Sequence, residues 1–531
     1  MADRQSTHWI VCCDGTWNTI DDLTGDVPTP TNVVRLWNCL APTSPDGEDQ
    51  RVYYHPGVGT NGWLDRLLGG ATGAGLSKNV KSAYKWLAEH WRPGDKIWLF
   101  GFSRGAFTAR SVGGMIAKCG LVDLEGMKPD AVWQAVDTVF ARYRAFTDPA
   151  HPPKIGADLE YIGVAPGQSS FRSVPIHFIG VWDTVGSLGI PDDWGVVDLL
   201  FDRPKRYRFH DTELSPVCTH ARHAIALDER RQTFLPTLWT KIPPGPTVKQ
   251  VWFPGAHCDV GGGYVNKGLS DRTLDWMIGE AKDAGLGFDP MMTVQIVQRG
   301  FQDVLHNSAT GVFAKMKTCP RAAPIVDPLS QTADVLDQSA LARQARPPIA
   351  QYPYRPTRTV APGAAAKVTV SAREHWVNTG IFLQKGRRYT LTAEGEWRDA
   401  SIPAGPDGIH PGFRVAKLGY AVAWVFEQAQ AVFRFATRRY RAQAPFARRF
   451  PEHPWFMLMG VIANEAPVPD TVPPKQAEAA RDKAPLPHQV FPIGSSATVA
   501  PNADGYLYVF ANDAWGFYEN NSGRIEMTVS G

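Results

Sequence analysis

Long apolar runs are missing from this chain of 531 residues. No stretch reaches the roughly 18 apolar residues that a membrane-spanning helix requires. The first eight residues, MADRQSTH, have no apolar core of the kind a secretory leader carries. The first apolar run, Trp9–Cys13, is short and closes on Asp14-Gly15, which predicts a strand. The chain is therefore expected to be made in the cytoplasm without a signal peptide, and any export would take a signal-independent route. Charge of one sign is scarce as well. Lys and Arg number 55 against 52 Asp and Glu, a net of +3, which gives no reason to expect a nucleic-acid partner. Seven cysteines (Cys12, Cys13, Cys39, Cys119, Cys218, Cys258 and Cys319) form no CxxC pair and are odd in number. They read as reduced thiols rather than a metal or disulfide framework. No repeat of solenoid period is present.

What is present is an ordinary globular composition, 44% hydrophobic and 20% charged, at a length that suggests two to four domains. Over residues 1–345 strand-like and helix-like segments alternate. Trp9–Cys13, Lys96–Phe102 (KIWLFGF), Val174–Trp182 (VPIHFIGVW) and Val248–Phe253 (VKQVWF) read as strands. Residues 76–90 and Ala106–Lys118 carry apolar positions at helical spacing. Alternation of this kind predicts an α/β fold, a mostly parallel sheet covered by helices and α/β-hydrolase-like in plan. Residues 346–366 are rich in Pro, Ala and Arg and read as a linker. From 367 to 531 the period becomes two (KVTVSA, YTLTAEGEW, GYLYVFAND, RIEMTVS), which predicts an all-β sandwich. A helical insertion interrupts it at about 408–488, and its part 464–488 reads as a Pro- and Ala-rich loop.

The sharpest local signal is Gly101-Phe102-Ser103-Arg104-Gly105. A buried-type strand leads into it and a helix-like run leads out. A nucleophilic serine on such a strand-to-helix corner needs glycines beside it, where side chains would clash. The helix start then points at the reacting centre and favours the negative charge that develops there on the carbonyl oxygen. Ser103 is the candidate nucleophile. The N–H of Arg104, with that of Gly15 or Thr16, is the candidate oxyanion hole. A serine requires a base and an orienting acid, and on this fold they follow it in the order acid, then histidine. Asp183, directly after strand 174–182, is the candidate acid. His257, in the Gly-rich stretch 253–264 after another strand, is the candidate base. His223, in a run read as helix-like, is the rival base. Asp259 and Asp14 are rival acids, with loop-holding and turn-capping as their plainer roles. Residues 121–173 and 281–340 are candidates for a covering lid. The mechanism requires no cofactor.

Taken together, Cys13–Asn18, Gly57–Thr60, Gly101–Ala106, Gly180–Val185, Ala224–Arg231 and Pro254–Tyr264 resemble, in order, the α/β-hydrolase domain of bacterial type VI secretion lipase effectors. The resemblance runs from about residue 8 to 280. It implies a triad of Ser103, Asp183 and His257, phospholipase or lipase activity, and a type VI-like export route. The C-terminal region resembles the calcium-dependent galactophilic lectins of the PA-I type through Trp376–Ile381, Lys385-Gly386, Ala393–Gly395, Asn512-Asp513 and Tyr518–Gly523. That resemblance implies Ca²⁺ held by Asp513, Asn520, Asn521, the Phe517 carbonyl and a ligand near Asp399. Oxygen ligands of this type suit a hard cation.

In 415–449 apolar residues recur at helical spacing (Leu418, Val422, Val425, Phe426, Ala429, Val432, Phe433, Ala436), and Arg434, Arg438, Arg439, Arg441, Arg448 and Arg449 crowd the end. Such a helix can lie in an anionic lipid interface or pack on the neighbouring domain. The leading expectation is a serine hydrolase acting on a lipid ester and brought to a membrane or glycan by its C-terminal module. Two other readings remain open: an esterase on soluble or polymeric esters, and a calcium-dependent carbohydrate-binding protein with an inactive hydrolase domain.

Overall fold

The structure is a computed structural model that describes residues 4–15, 23–24, 27–57, 73–146, 159–164, 173–186, 212–296, 300–310, 313, 317–329, 334–409, 448–484 and 486–531. Six parallel strands form one sheet: β1 (Thr7–Cys13), β2 (Asp49–His55), β3 (Lys96–Phe102), β4 (Ile176–Trp182), β5 (Cys218–Ala226) and β6 (Thr247–Phe253). Their order is β2-β1-β3-β4-β5-β6. The central strands are mostly apolar because both faces are covered. Val11, Cys13, Ile97, Leu99, Ile179 and Val181 point into one core; Ile10, Cys12, Trp98, Phe100, Phe178 and Trp182 point into the other. This is the period of two that a strand imposes, with neither face left for water.

Helices α1 (Asn32–Asn38), α2 (Gly73–His90), α3 (Arg104–Cys119), α4 (Pro129–Ala145), α5 (His257–Gly261) and α6 (Gly268–Asp283) follow the strands. The helix expected over 76–90 is part of α2, and Leu76, Val80, Ala83, Tyr84, Leu87 and Ala88 form its buried stripe. That stripe packs with α3 and α4 on one face of the sheet, and α1 and α6 cover the other. The cysteines are all free, and six of the seven are buried. Among the described residues no helix is long and apolar enough to cross a membrane.

The C-terminal region is antiparallel. Strands β7 (Ala365–Ser371), β8 (Val377–Leu383), β9 (Tyr389–Asp399), β10 (Ile402–Ala404), β11 (Leu458–Ala463), β12 (Gln489–Pro492), β13 (Ser496–Val499), β14 (Gly505–Ala511) and β15 (Asn521–Ser530) make two sheets. One runs β8-β14-β11-β12; the other runs β10-β9-β15-β7, with β13 paired to β9. A single hydrophobic cluster holds Val370, Ile381, Leu391, Trp397, Leu458, Leu507 and Ile525 from both sheets.

Three expectations change here. Residues 458–463 fall inside the expected insertion, yet β11 is an inner strand of its sheet. Its sequence, LMGVIA, does not alternate because both faces are buried. Leu458 and Ile462 face the inter-sheet core, while Met459, Val461 and Ala463 face a second cluster with Cys319, Phe450 and Phe510. The expected loop 464–488 contains a helix, Pro474–Lys483. Ala, Glu, Gln, Lys and Arg are strong helix formers, and proline is favoured in a first turn. The stretch expected as a linker is also packed. Tyr354 and Val360 are buried, and the Tyr354 hydroxyl donates to Asp228 Oδ2 at 2.9 Å.

Candidate active site

The candidate residues collect at the carboxyl ends of the parallel strands, where open α/β sheets place their crevices. Asp14 follows β1, Ser103 follows β3, Asp183 follows β4, Glu229 lies just past β5 and His257 lies just past β6.

Ser103 joins β3 directly to α3 and has φ 58° and ψ −122°. Positive φ is uncommon for a residue with a side chain and costs about 1–3 kcal/mol. The corner is held open to that geometry by contact. A Cβ on Gly101 would lie 2.4 Å from the Gly105 carbonyl oxygen, and one on Gly105 would lie 2.2 Å from that of Cys13. Neither position admits a side chain, so both glycines of the pentapeptide are fixed by packing. The Ser103 N–H donates to the Trp182 carbonyl at 3.0 Å, which ties the corner to β4. A Cβ on Gly15 would lie 3.5 Å from the Ser103 Cβ, so the end of β1 flanks the serine.

Asp183 ends β4 at φ 37° and is fully buried. Its Oδ1 accepts from the Ala226 N–H at 3.0 Å and from Arg321 Nη1 at 2.6 Å. Its Oδ2 accepts from Arg321 Nη2 at 2.9 Å and from His257 Nδ1 at 2.6 Å. Burial by itself would raise this carboxyl's pKa. The Arg321 guanidinium and the His257 hydrogen bond more than reverse that and hold it well below the usual carboxylate range.

His257 opens the short helix α5, which differs from the expected loop. Its ring lies between Phe102, 4.6 Å away, and Phe234, edge-on at 4.9 Å. Burial lowers its pKa, partly offset by Asp183. A carboxylate only accepts, so Nδ1 carries the proton. The other ring nitrogen, Nε2, is buried and has no hydrogen-bond partner among the described residues. The bond from Ser103 Oγ to Nε2 is therefore not made in this structure, as is common before substrate binds.

The rivals are engaged in other hydrogen bonds. His223 lies in strand β5, not a helix, and its Nε2 accepts from the Thr184 N–H at 3.0 Å. Burial, then the charge of Arg110, pushes its pKa down to about 3. Asp259 serves a different histidine: its Oδ1 lies 2.6 Å from His306 Nδ1, and its Oδ2 accepts from the N–H groups of Ala256 and His306. Asp14 accepts from the Gly15 N–H at 2.6 Å, from the Thr31 hydroxyl and from the Tyr54 hydroxyl, both at 2.9 Å. The Gly15 N–H, a candidate oxyanion donor, is thus committed to Asp14. Thr16 lies outside the described residues. Arg104 is the first residue of α3, so its N–H lies at the amino end of the helix.

Two residues at the site carry no sequence signal of their role. Arg321 is one. Glu229 is the other, although its motif, AIALDERR, is part of the resemblance. Its Oε2 accepts from the His257 backbone N–H at 3.2 Å and from Arg231 Nη2 at 2.8 Å. Its Oε1 accepts from the Ser308 hydroxyl at 2.7 Å. Against the effect of burial, Arg231 holds Glu229 ionised, with a pKa of about 2. This carboxylate fixes the main chain at His257 as Asp183 fixes its ring.

In the C-terminal region Asp513 Oδ1 accepts from the Ala514 N–H at 2.7 Å, and Oδ2 accepts from Asn521 Nδ2 at 2.9 Å. Asn520 Nδ2 donates to Asp399 Oδ1 at 3.1 Å. The Phe517 carbonyl accepts from the Asn520 N–H at 3.3 Å. The Asn521 Oδ1 is buried without a partner among the described residues. Burial pushes the Asp513 carboxyl up to about 7, with the charge of Asp399 adding to the rise. Among the described residues no group of three or more His, Cys, Asp or Glu side chains is disposed to hold a metal.

Of the basic amphipathic segment 415–449, residues 415–447 lie outside the described residues. Arg449 does not face a surface. It is buried, with its guanidinium 4.0 Å from the Trp376 ring centre and 3.7 Å from that of Phe510, and Nη1 donates to the His375 carbonyl at 2.7 Å.

Residues 7–280 match the family model of the type VI secretion phospholipase effector Tle1-like catalytic domain. An uncharacterized protein of Saccharomyces cerevisiae is 33% identical over 261 residues, which is 45% of this chain and 33% of the yeast protein. The chain thus spans about a third of that relative's length. Among solved structures, an uncharacterized protein from Pseudomonas aeruginosa is similar at 20% identity over 54% of this chain and 47% of that one, with TM-score 0.31. The Tle1 effector bound to the VgrG spike of the type 6 secretion system is similar at 18% identity over 50% and 52%, with TM-score 0.29. The EclA N-terminal domain, described as a PllA-like lectin, is similar at 16% identity over 31% and 93%, with TM-score 0.18.

Proposed function

The chain belongs to the family of Tle1-like type VI secretion phospholipase effectors through a catalytic domain at residues 7–280, and from that we propose that it is a serine hydrolase cleaving a carboxylic ester of a phospholipid. The observation that carries this reading is the Asp183–His257 hydrogen bond of 2.6 Å, with His257 Nε2 unpartnered beside the Ser103 corner.

Ser103 Oγ attacks the acyl carbonyl carbon while His257 Nε2 takes its proton. Asp183 holds the imidazole in the tautomer that leaves Nε2 basic, then stabilises the imidazolium. The N–H of Arg104 and that of Thr16 or Gly15 bind the oxyanion; Gly15 must first exchange its bond to Asp14 for one to substrate. Collapse of the tetrahedral intermediate expels the lysophospholipid or headgroup-bearing alcohol, which takes the proton from His257. Water, deprotonated by the same nitrogen, then releases the fatty acid. The order Ser103, Asp183, His257 along a parallel sheet supports an α/β-hydrolase-like domain at about 1–345.

Residues 367–531 are read as a lectin-like β-sandwich that targets the enzyme to a membrane or glycan surface. The residues there fit a calcium ion: two carboxylates, Asp513 and Asp399, stand with amide and carbonyl oxygens, and Asn521 Oδ1 is buried and unpartnered. Asp513, Asn520, Asn521 and the Phe517 carbonyl would hold the ion, which would order this end of the module and take no part in ester cleavage. The basic segment 415–447 is the candidate membrane contact, and export is read as type VI-like. Assay of the full chain on phospholipid vesicles and on short-chain acyl esters tests the substrate. Release of fatty acid from vesicles, absent in Ser103→Ala, is the expected result; cleavage of short esters alone would move the reading to an esterase on soluble substrates.

A further inference from the structure

We propose that Arg321 is a positioning residue for the Asp183–His257 pair, and that the C-terminal sheet holds the strap that carries it. This rests on the hydrolase reading above.

Arg321 lies 138 positions beyond Asp183 in the chain and outside the family match at 7–280. Its side chain is buried and forks onto both carboxylate oxygens, at 2.6 and 2.9 Å. The same two nitrogens donate to the carbonyls of Ala226, at 2.7 Å, and Phe234, at 2.5 Å. A planar fork of this kind fixes the plane of a carboxylate, which a single ammonium does not. Asp183 in turn receives the Ala226 N–H and His257 Nδ1, so the orientation of the imidazole depends on where the guanidinium sits. The charge matters as well as the geometry. A buried carboxylate without a cation would bind the imidazolium proton more tightly, and His257 would lose its basic form at a higher pH.

The strap is residues 317–326. On one side it bonds to the catalytic region: the Gln232 N–H donates to Lys317, and the Cys319 N–H donates to the Arg230 carbonyl at 2.7 Å. On the other side it bonds to the C-terminal region. Trp376 Nε1 donates to the Thr318 carbonyl at 3.0 Å, His488 Nε2 to the Pro320 carbonyl at 2.7 Å, and the Val326 N–H to the Tyr506 hydroxyl at 2.8 Å. Cys319 is buried among Phe382, Met459, Val461 and Phe510. The contacts at Thr318, Cys319 and Pro320 immediately precede Arg321. The C-terminal sheet is therefore part of the support of the catalytic acid.

The test compares full-length wild type, Ser103→Ala, Arg321→Ala, Arg321→Lys and His488→Ala in steady-state ester hydrolysis across pH, with folding checked by circular dichroism. Arg321→Ala is expected to lower kcat about a hundredfold with KM little changed, and to move the acid limb of kcat/KM up by about one pH unit. Added guanidinium ion is expected to restore part of the rate. Arg321→Lys and His488→Ala are expected to shift the same quantities in the same direction by less. Should Arg321→Ala fail to fold, Arg321→Lys carries the test. Folded Arg321 variants with wild-type kcat and acid limb, or a lowered kcat with an unmoved limb and no rescue, would overturn the proposal. Activity surviving in Ser103→Ala would instead overturn the hydrolase reading, whatever the Arg321 variants do.

Discussion

One nitrogen of the His257 ring is bound and the other is not: Nδ1 lies 2.6 Å from Asp183 Oδ2, while Nε2 is buried without a partner among the described residues. That asymmetry is what a general base needs, one end oriented and the other available. It also separates Asp183 from its rival Asp259. Asp183→Asn would present an amide that favours the wrong tautomer, and kcat is expected to fall about 10⁴-fold. Asp259 bonds to His306 instead, so Asp259→Asn is expected to cost about tenfold or less through loop disorder. Steady-state kinetics on one ester substrate distinguish them, and equal losses would count against the assignment of Asp183.

The pH dependence follows from burial. His257 is held below the ordinary imidazole value by desolvation, opposed by Asp183. In the proposed mechanism the neutral ring is the active form, so kcat/KM should be flat near neutrality and fall with acid below about pH 6.5. An acid limb centred above pH 7 would show that another group controls the rate.

His223 gives a pH effect on stability rather than on rate. Its pKa is pushed to about 3 by burial, against about 6.5 in an unfolded chain. Between those values the unfolded chain binds a proton that the folded chain does not. Stability is present above about pH 6.5 and is lost as pH falls toward 3. Going from pH 6.5 to 5 should cost about 2 kcal/mol from this group alone. Urea unfolding at the two pH values measures it, and His223→Gln should flatten the difference while leaving the serine reactive.

The catalytic region and the stretch 346–366 are joined through Asp228. Its Oδ1 accepts from Arg355 Nε at 2.8 Å, and its Oδ2 accepts from the Tyr354 hydroxyl and the Gly255 N–H. Asp228→Ala would leave Arg355, whose side chain is only 11% exposed, without its carboxylate, a loss of about 3 kcal/mol. Thermal unfolding should show a lower Tm, and an unchanged Tm would mean that the contact contributes little.

Calcium binding at Asp513 is tested by thermal shift. Added Ca²⁺ should raise Tm, a chelator should reverse the rise, and Asp513→Ala should abolish it. No shift in the wild-type chain would exclude the ion from this role. Ester hydrolysis should not depend on the chelator.

Much of this site was legible because its signals are local. The Ser103 corner announces itself through Gly101 and Gly105, whose missing side chains the packing requires. Asp183 and His257 each follow an apolar strand, and parallel strands of one sheet deliver their ends to one side. Arg321 was not legible. It sits in CPRAAP, a stretch with no period and no motif, and its partner is 138 residues away. Glu229 shows the same limit within a recognised motif, since nothing local says that a carboxylate will reach the main chain of His257. Residues 458–463 were misplaced for a different reason: a strand buried on both faces does not alternate, so LMGVIA hides its period.

The central claim is that Ser103 is the nucleophile, and a fluorophosphonate probe tests it most directly. Wild-type chain should be labelled on Ser103, with the adduct located by mass spectrometry of the peptide. Ser103→Ala should be unlabelled, and Asp183→Asn should label far more slowly. No label on the wild type, or undiminished label on Ser103→Ala, would contradict it.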